Sequence, residues 1–284
     1  MSKISIVFDR VRAEEKMLQK EAEQLGYDTT SIDAKITRFS TESKKADYDF
    51  GNVVLERCVS YFRGIHFTAC LEFLDIPVIN TFEVANNCGN KMLTSLLLSK
   101  HNVPTPKTYF SFSADAAREN LDKVGYPLVI KPIIGSWGRS VVPLKDKDTV
   151  DALFEIREFT DGPHDRIFYL QEMVKRPPRD LRAIIVGDEV VAAMYRKSSG
   201  FKTNIALGAD PELCKITKEI EDLCLKASKA VGGGILGIDM MEDEKRGLVV
   251  HEVNNTVEFK GLAKVATKNI PKAMVEFAVN SVRK

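Results

Sequence analysis

Hydrophobic and polar positions change period several times along the chain, and each change predicts a new element. Lys3–Phe8 is a short apolar run that reads as a strand. From Ala13 to Leu25, the positions Met17, Leu18, Ala22 and Leu25 fall on one side of a helix that Gly26 ends. Asp28–Ile32 and Val53–Leu55 read as strands, Tyr61–Leu74 as a helix and Pro77–Ile79 as a brief strand, with a polar, irregular stretch over 34–50. Strands alternating with helices predict a small parallel sheet with helices on its faces.

Thr81 and Asn90 precede two helical segments, one to Cys88 and one from Lys91 to Lys100. Lys107–Phe112 reads as a strand, and Ser113 caps a helix that runs to Val124 and stops at Gly125. The strand Tyr126–Pro132 delivers Lys131. The glycine-bearing loop Ile134–Ser140 follows, then the strand Val141–Leu144 and a helix over 148–158. Beyond Phe168 the pattern changes. Strands at 168–174, 179–186 and 190–195 and a long polar loop over 197–213 lead to an amphipathic helix, Ile216–Val231. This predicts an antiparallel sheet with helices on one side, an α+β unit after the α/β start. The chain divides into residues 1–88, 89–165 and 166–284.

The last two strands, Ile235–Glu242 and Gly247–Val253, flank the turn Glu242–Gly247. A hairpin folded about Lys245–Arg246 sets Asp239 opposite Glu252. Alternation puts Glu252 and Asn254 on one face and His251 on the other. Asp239, Glu252 and Asn254 then form a set of hard oxygen donors suited to a divalent cation such as Mg²⁺. The same hairpin could instead carry solvated acids on an outer face. A terminal helix spans Ile270–Val282.

Composition narrows the classes. A chain of 284 residues with 44% hydrophobic and 29% charged residues is an ordinary globular protein. A net charge of +1 excludes a polybasic nucleic-acid binder in bulk, though not a local basic groove. No apolar run reaches a membrane span, and the N-terminus enters a strand without a signal peptide. The cysteines Cys58, Cys70, Cys88, Cys214 and Cys224 lack metal or disulfide spacing, and read as reduced core residues of a cytosolic protein.

Several groups suit a polyanion. Lys131 follows an apolar run and precedes a loop whose Gly135 and Gly138 permit close backbone approach. Arg139 adds charge there, and Trp137, the only tryptophan, reads as partly exposed or folded onto a partner. A plain hairpin loop with a solvated lysine is the simpler alternative. Lys91 opens a helix, where a cation is unfavourable unless an anion joins it. Arg179, Arg182 and Arg196 lie on or near adjacent strands and either grip an anion or pair with Asp180 and Glu189. Gln171–Glu172 at a strand end can meet an adenine edge. The order of these groups, a cationic cradle and then a metal-holding hairpin, is the equipment of phosphoryl transfer from ATP.

The segments FDRVRAEEKML, LERCVSYFRG, NNCGNK, VIKPIIGSWGR, QEMVKRPPRDLRA, TNIALG and HEVNNTVEFK resemble those of the RimK-like amino acid ligases of the ATP-grasp superfamily, within them the LysX/ArgX group. The resemblance covers nearly the whole chain. It implies three α/β subdomains with ATP between two sheets. The segment 1–88 corresponds to the preATP-grasp domain, 89–165 to the central subdomain and 166–284 to the C-terminal one. Lys91 and Lys131 resemble the ATP-phosphate lysines, and Gly135, Ser136, Trp137, Gly138, Arg139 and Ser140 the loop that closes over them. Gln171, Glu172, Met173 and Val174 resemble the adenine-binding linker, and Asp180 and Arg182 follow it. Arg196 and Asn204 resemble groups facing phosphate and intermediate, with Arg196 and Lys260 as candidates to stabilise the tetrahedral intermediate. Asp239, Glu252 and Asn254 match the Mg²⁺ ligands, with two ions expected.

The implied reaction activates the C-terminal glutamate γ-carboxylate of the acidic carrier protein LysW as an acyl phosphate. The α-amine of 2-aminoadipate or glutamate then displaces phosphate. Glu258, Phe259, Gly261 and Leu262 fall in the segment associated with amino acid choice. Gly261 leans towards glutamate, Leu262 matches neither preference, and the rest of the chain leans towards 2-aminoadipate. A RimK-type ligase with another acceptor and a nucleotide-binding module without turnover are the competing readings. Arg57, Arg63, Lys197 and Lys202 are candidates for a basic carrier-docking surface. The resemblance also implies a cytoplasmic homodimer or homotetramer that touches neither membrane nor nucleic acid.

Overall fold

The computed structural model describes residues 2–42, 47–160, 162–198, 201, 203 and 210–282. Its first sheet is parallel, from β1 (Lys3–Phe8), β2 (Asp28–Asp33), β3 (Val53–Glu56) and β4 (Val78–Ile79), in the order β2-β1-β3-β4. Helix α1 (Ala13–Gln24) covers one face and α2 (Tyr61–Phe73) the other, as the alternation predicts. Ile4 and Ile6 face α1, and Val7 and Val54 face α2. One feature departs from the helical pattern: Glu14 and Glu15 of α1 are buried, at 5% and 3% exposure. Glu15 pairs with Arg12 at 2.7 Å and with the distant Arg57 at 3.2 Å, and Glu14 accepts from the distant Lys260 amide.

Helices α3 (Phe82–Gly89) and α4 (Lys91–Lys100) start at Thr81 and Asn90, whose side chains accept from the orphan amides of Val84 and of Met92 and Leu93. The second sheet is antiparallel. It is built from β5 (Thr108–Ser111), β6 (Leu128–Lys131), β7 (Val142–Leu144) and β8 (Phe168–Glu172), in the order β5-β8-β6-β7. Helices α5 (Ala114–Val124) and α6 (Lys147–Glu158) close its core through Leu121, Phe154 and Phe168.

The third sheet contains β9 (Arg179–Val186), β10 (Glu189–Lys197), β11 (Asp210–Leu213), β12 (Ile235–Asp243) and β13 (Gly247–Asn254), in the order β11-β10-β9-β12-β13. Here two expectations are corrected. Helices cover both faces, not one. Helix α7 (Lys218–Val231) lies with α3 and α4 on the side of Leu181, Ala183 and Ile185, and α8 (Ile270–Ser281) lies with the first sheet on the side of Ile184 and Val186. The unbroken apolar run Ala183–Val186 is the mark of a strand buried on both faces. The expected 197–213 loop also ends in a strand, β11, on the sheet's edge. Pro211 disguises it, and edges are where a strand tolerates proline. No helix among the described residues is long and apolar enough to cross a membrane.

Candidate active site

A cleft of about 660 Å³ opens between the second and third sheets. Each sheet supplies one wall, and on the third sheet a single local logic places the charged side chains. On β9 the face that is apolar at Ile184 turns polar at Arg182 and Asp180. On β12 the face of Ile235 continues to Gly237 and Asp239, and on β10 that of Met194 continues to Arg196. Alternation thus carries one face from hydrophobic core to charged cleft.

The strand-borne charges are locked together. Arg182 grips Asp239 with Nε and Nη2 at 2.7 and 2.6 Å. Arg196 grips Asp180 in the same way, at 2.7 and 2.7 Å, and places Nη2 3.2 Å from Asp239. Thr203 also donates to Asp180. Burial opposes ionisation of Asp239, but Arg182 and Arg196 outweigh it and hold the carboxyl well below the usual range. Burial likewise opposes the Arg196 charge, and Asp239 and Asp180 reverse the balance.

The opposite wall is built differently. Lys131, only 8% exposed, donates to the neutral Gln171 Oε1 at 2.6 Å. Burial, reinforced by Lys91 and Arg176, pushes its ammonium down to about 8. Lys91 bridges the walls, donating to Gly135 O at 2.6 Å and lying 3.1 Å from Glu252. Burial would raise the Glu252 carboxyl, and Lys91 brings it below its ordinary value. In the loop Trp137, Gly138 and Ser140 have φ of 58°, 67° and 55°. For the two non-glycines this conformation costs on the order of 1 kcal/mol each. At Trp137 two contacts offset it: its Nε1–H donates to Glu258 Oε1 at 3.1 Å, and Arg139 lies 5.0 Å from its ring.

The hairpin register is as expected: Asp239 pairs with Glu252 and Gly237 with Asn254. His251 is the correction. A β-bulge sets Met240 against Val250, so His251 is the extra residue and lines the cleft beside Glu252. Both its ring nitrogens are buried without a partner among the described residues, and burial pushes the imidazole down to about 4, keeping it neutral.

The cleft gathers Lys91, Lys131, Gly135, Ser136, Trp137, Gly138, Arg139, Asp180, Arg196, Asp239 and Glu252. Gln171, Arg182 and Glu258 each touch one of these. Ser140, Glu172, Met173, Val174 and Asn254 do not line it, and Asn204 and Lys202 lie outside the described residues. Three expected contacts are not formed. Phe259 and Leu262 are fully buried, packed with the α8 and β1 side chains, and Lys260 is exposed away from the cleft. Arg57 is 3% exposed and held by Glu15 and the Val257 carbonyl, so it cannot dock a carrier. Sequence reasoning missed Arg176 and His251, which both line the cleft.

Among the described residues, five cations, Lys91, Lys131, Arg139, Arg176 and Arg196, thus face three carboxylates, Asp180, Asp239 and Glu252. That excess suits a polyanion. The donors also fit a divalent cation. Asp239 and Glu252 line the cleft and are held ionised, and Asn254, two residues beyond Glu252 on β13, pairs with Gly237. Two carboxylates and an amide do not fill an octahedron, so Mg²⁺ would be held here only together with phosphate oxygens.

Comparison with known proteins places the fold. The model of the RimK-like ATP-grasp domain matches residues 88–278, and that of the LysX preATP-grasp domain matches 4–87. The alpha-aminoadipate–LysW ligase LysX of Saccharolobus solfataricus is 38% identical over 274 residues, 96% of this chain and 99% of that one. The glutamate–LysW ligase ArgX of Sulfolobus acidocaldarius is 30% identical over 98% of this chain and 99% of its own. A tetrahydromethanopterin:alpha-L-glutamate ligase of Methanocaldococcus jannaschii is 40% identical over 73% of this chain and 72% of its own. The crystal structure of a RimK domain ATP-grasp protein from Sphaerobacter thermophilus superposes with a TM-score of 0.81 at 19% identity, covering 98% and 100% of the two chains. The chain belongs to the RimK-like ATP-grasp family, with a LysX-type preATP-grasp domain at its N-terminus.

Proposed function

We propose that the protein is an ATP-dependent ligase that joins the α-amine of 2-aminoadipate or glutamate to the C-terminal glutamate γ-carboxyl of a LysW-type carrier. The observation that carries this reading is the cleft's uncompensated positive charge. Lys131, Arg139 and Arg176 line it with no carboxylate paired to them among the described residues. Full-length similarity to ligases that use LysW supports the acceptor.

Lys91 and Lys131 bind the ATP phosphates, and residues 135–140 cover them and exclude water. Asp239, Glu252 and Asn254 would hold Mg²⁺, which when bound neutralises charge on the phosphates. The carrier carboxylate forms a bond to the γ-phosphorus as the bond to ADP breaks. The amine then attacks the acyl carbon, phosphate leaves with the bonding pair, and the amine proton passes to water or phosphate. Arg196 is pinned between Asp180 and Asp239 and serves as a fixed positive charge facing these events. Two ions, a dimeric or tetrameric assembly and a cytoplasmic setting complete the proposal. Free, unpaired cysteines support the last of these.

Gly261 leans towards glutamate while the rest of the chain leans towards 2-aminoadipate, with 38% identity to an alpha-aminoadipate–LysW ligase, so an enzyme that accepts both amino acids is the reading to test. Incubation with ATP, carrier and each amino acid, followed by weighing the carrier, tests this. We expect a mass increase of one residue with either, and ADP release only when the acceptor is present. No increase with either would end the proposal. Glutamate transfer to tetrahydromethanopterin in place of the carrier would redirect it to the acceptor of the third relative.

A further inference from the structure

Most carboxylates around the cleft already hold a cation. Asp180 and Asp239 are each gripped by a guanidinium, and Glu252 lies 3.1 Å from Lys91. Glu258 differs. Among the described residues its one hydrogen bond comes from the neutral indole of Trp137. Its nearest cation, Arg12, is 3.7 Å away and already committed to Glu15 at 2.7 Å. An ionised carboxylate has about four acceptor positions, so most of its capacity is unused. Its side chain is also 39% exposed, open to a solute.

The surroundings fix its place. Arg57 donates to the Val257 carbonyl at 2.8 Å, the Lys260 amide donates to Glu14 at 3.0 Å, and Phe259 is buried between them. Glu258 therefore projects from a segment clamped to the first sheet, towards the loop that roofs the cleft. An ammonium group is repelled by the cationic cleft floor and needs a carboxylate at its rim.

We propose that Glu258 receives the α-ammonium of the amino acid substrate and that Trp137 registers its arrival through the shared carboxylate. The inference rests on the ligase reading and names the amine subsite within it. Glu258 is then a positioning residue that orients the nucleophile. Because Trp137 is the only tryptophan, its fluorescence reports this one contact.

The test titrates glutamate, 2-aminoadipate and their amine-free counterparts, glutarate and adipate, into the full chain with a non-hydrolysable ATP analogue. The expected result is a saturable change in Trp137 emission with the two amino acids and none with the two diacids. In Glu258→Gln, amino acid affinity falls by at least about tenfold, the worth of one charge-assisted hydrogen bond. KM for the amino acid rises in parallel, while affinity for the analogue changes far less. Glu258→Asp recovers part of the loss. Equal responses to amino acids and diacids in the unaltered protein, or an unchanged KM in Glu258→Gln, overturn the proposal. If the carrier gains mass while those results hold, only the amine subsite has failed. If no acceptor gains mass, the ligase reading has failed as well.

Discussion

On the C-terminal wall of the cleft, the charges borne by β9, β10 and β12 neutralise one another. On the central wall, a buried lysine forms no ion pair among the described residues. Asp239 sits between Arg182 and Arg196, whereas the one hydrogen bond of the Lys131 ammonium among the described residues goes to the neutral amide of Gln171. The first wall is preorganised by its own ion pairs. The second bears an unpaired, desolvated charge that a polyphosphate would relieve. Stability and binding therefore reside on different walls, and substitutions can separate them.

The largest effect belongs to the paired wall. Asp239→Asn leaves Arg182 and Arg196 buried and undercompensated, which costs about 3–5 kcal/mol. It also removes a proposed metal ligand, so ligation falls by at least about 10²–10³-fold. Urea unfolding and the carrier mass assay check the two parts. An Asn variant of native stability would show that the pairs do not hold this wall.

Lys131→Met should behave oppositely. Losing the ammonium removes a desolvation cost that offsets the lost hydrogen bond to Gln171, so stability shifts by less than about 1 kcal/mol. Affinity for the ATP analogue nonetheless drops by about 10- to 100-fold. The pH dependence follows from the same charge. Burial depresses the Lys131 ammonium from 10.5 to about 8, so in the free protein it discharges as pH rises through about 8. Analogue affinity then declines, and binding at that pH takes up protons because the phosphates restore the charge. Without nucleotide, the unfolded chain holds more protons than the folded one between about 8 and 10.5, so this group adds stability as pH rises across that window. Calorimetry in buffers of different ionisation enthalpy checks the uptake. A proton release, or a flat profile matching Lys131→Met, would remove Lys131 from the phosphate site.

What was legible in the sequence divides along physical lines. The pairing of Asp239 with Glu252 was readable because a short polar turn sets the register and strands have a strict period of two. Lys131 was readable because an apolar run leads to it. Arg176 was not, since the bend at Lys175–Pro178 has no period to place it. Arg57 read as a surface cation because its partners, Glu15 and the Val257 carbonyl, lie 42 and 200 residues away. Phe259 and Leu262 read as substrate contacts because a motif names positions and not the direction their side chains take. His251 shows the limit of periodicity itself: one inserted residue reverses a face.

That inserted residue supplies the smallest of the three effects. A buried imidazole with both nitrogens unpartnered costs free energy in the empty cleft. Its place beside Lys131 and Glu252 makes a bound phosphate oxygen the natural acceptor for its N–H. His251→Leu, similar in volume and free of polar atoms, should raise the unfolding free energy without nucleotide by about 1 kcal/mol. The extra stability conferred by the ATP analogue should shrink by a comparable margin. Denaturant titrations with and without analogue separate the two quantities. If His251→Leu is destabilising and the analogue still protects it as well as the native chain, the bulge serves only to bend β13. If both shifts appear, the hairpin spends local stability to aim a neutral donor at the ligand, the same division of roles that distinguishes the two walls.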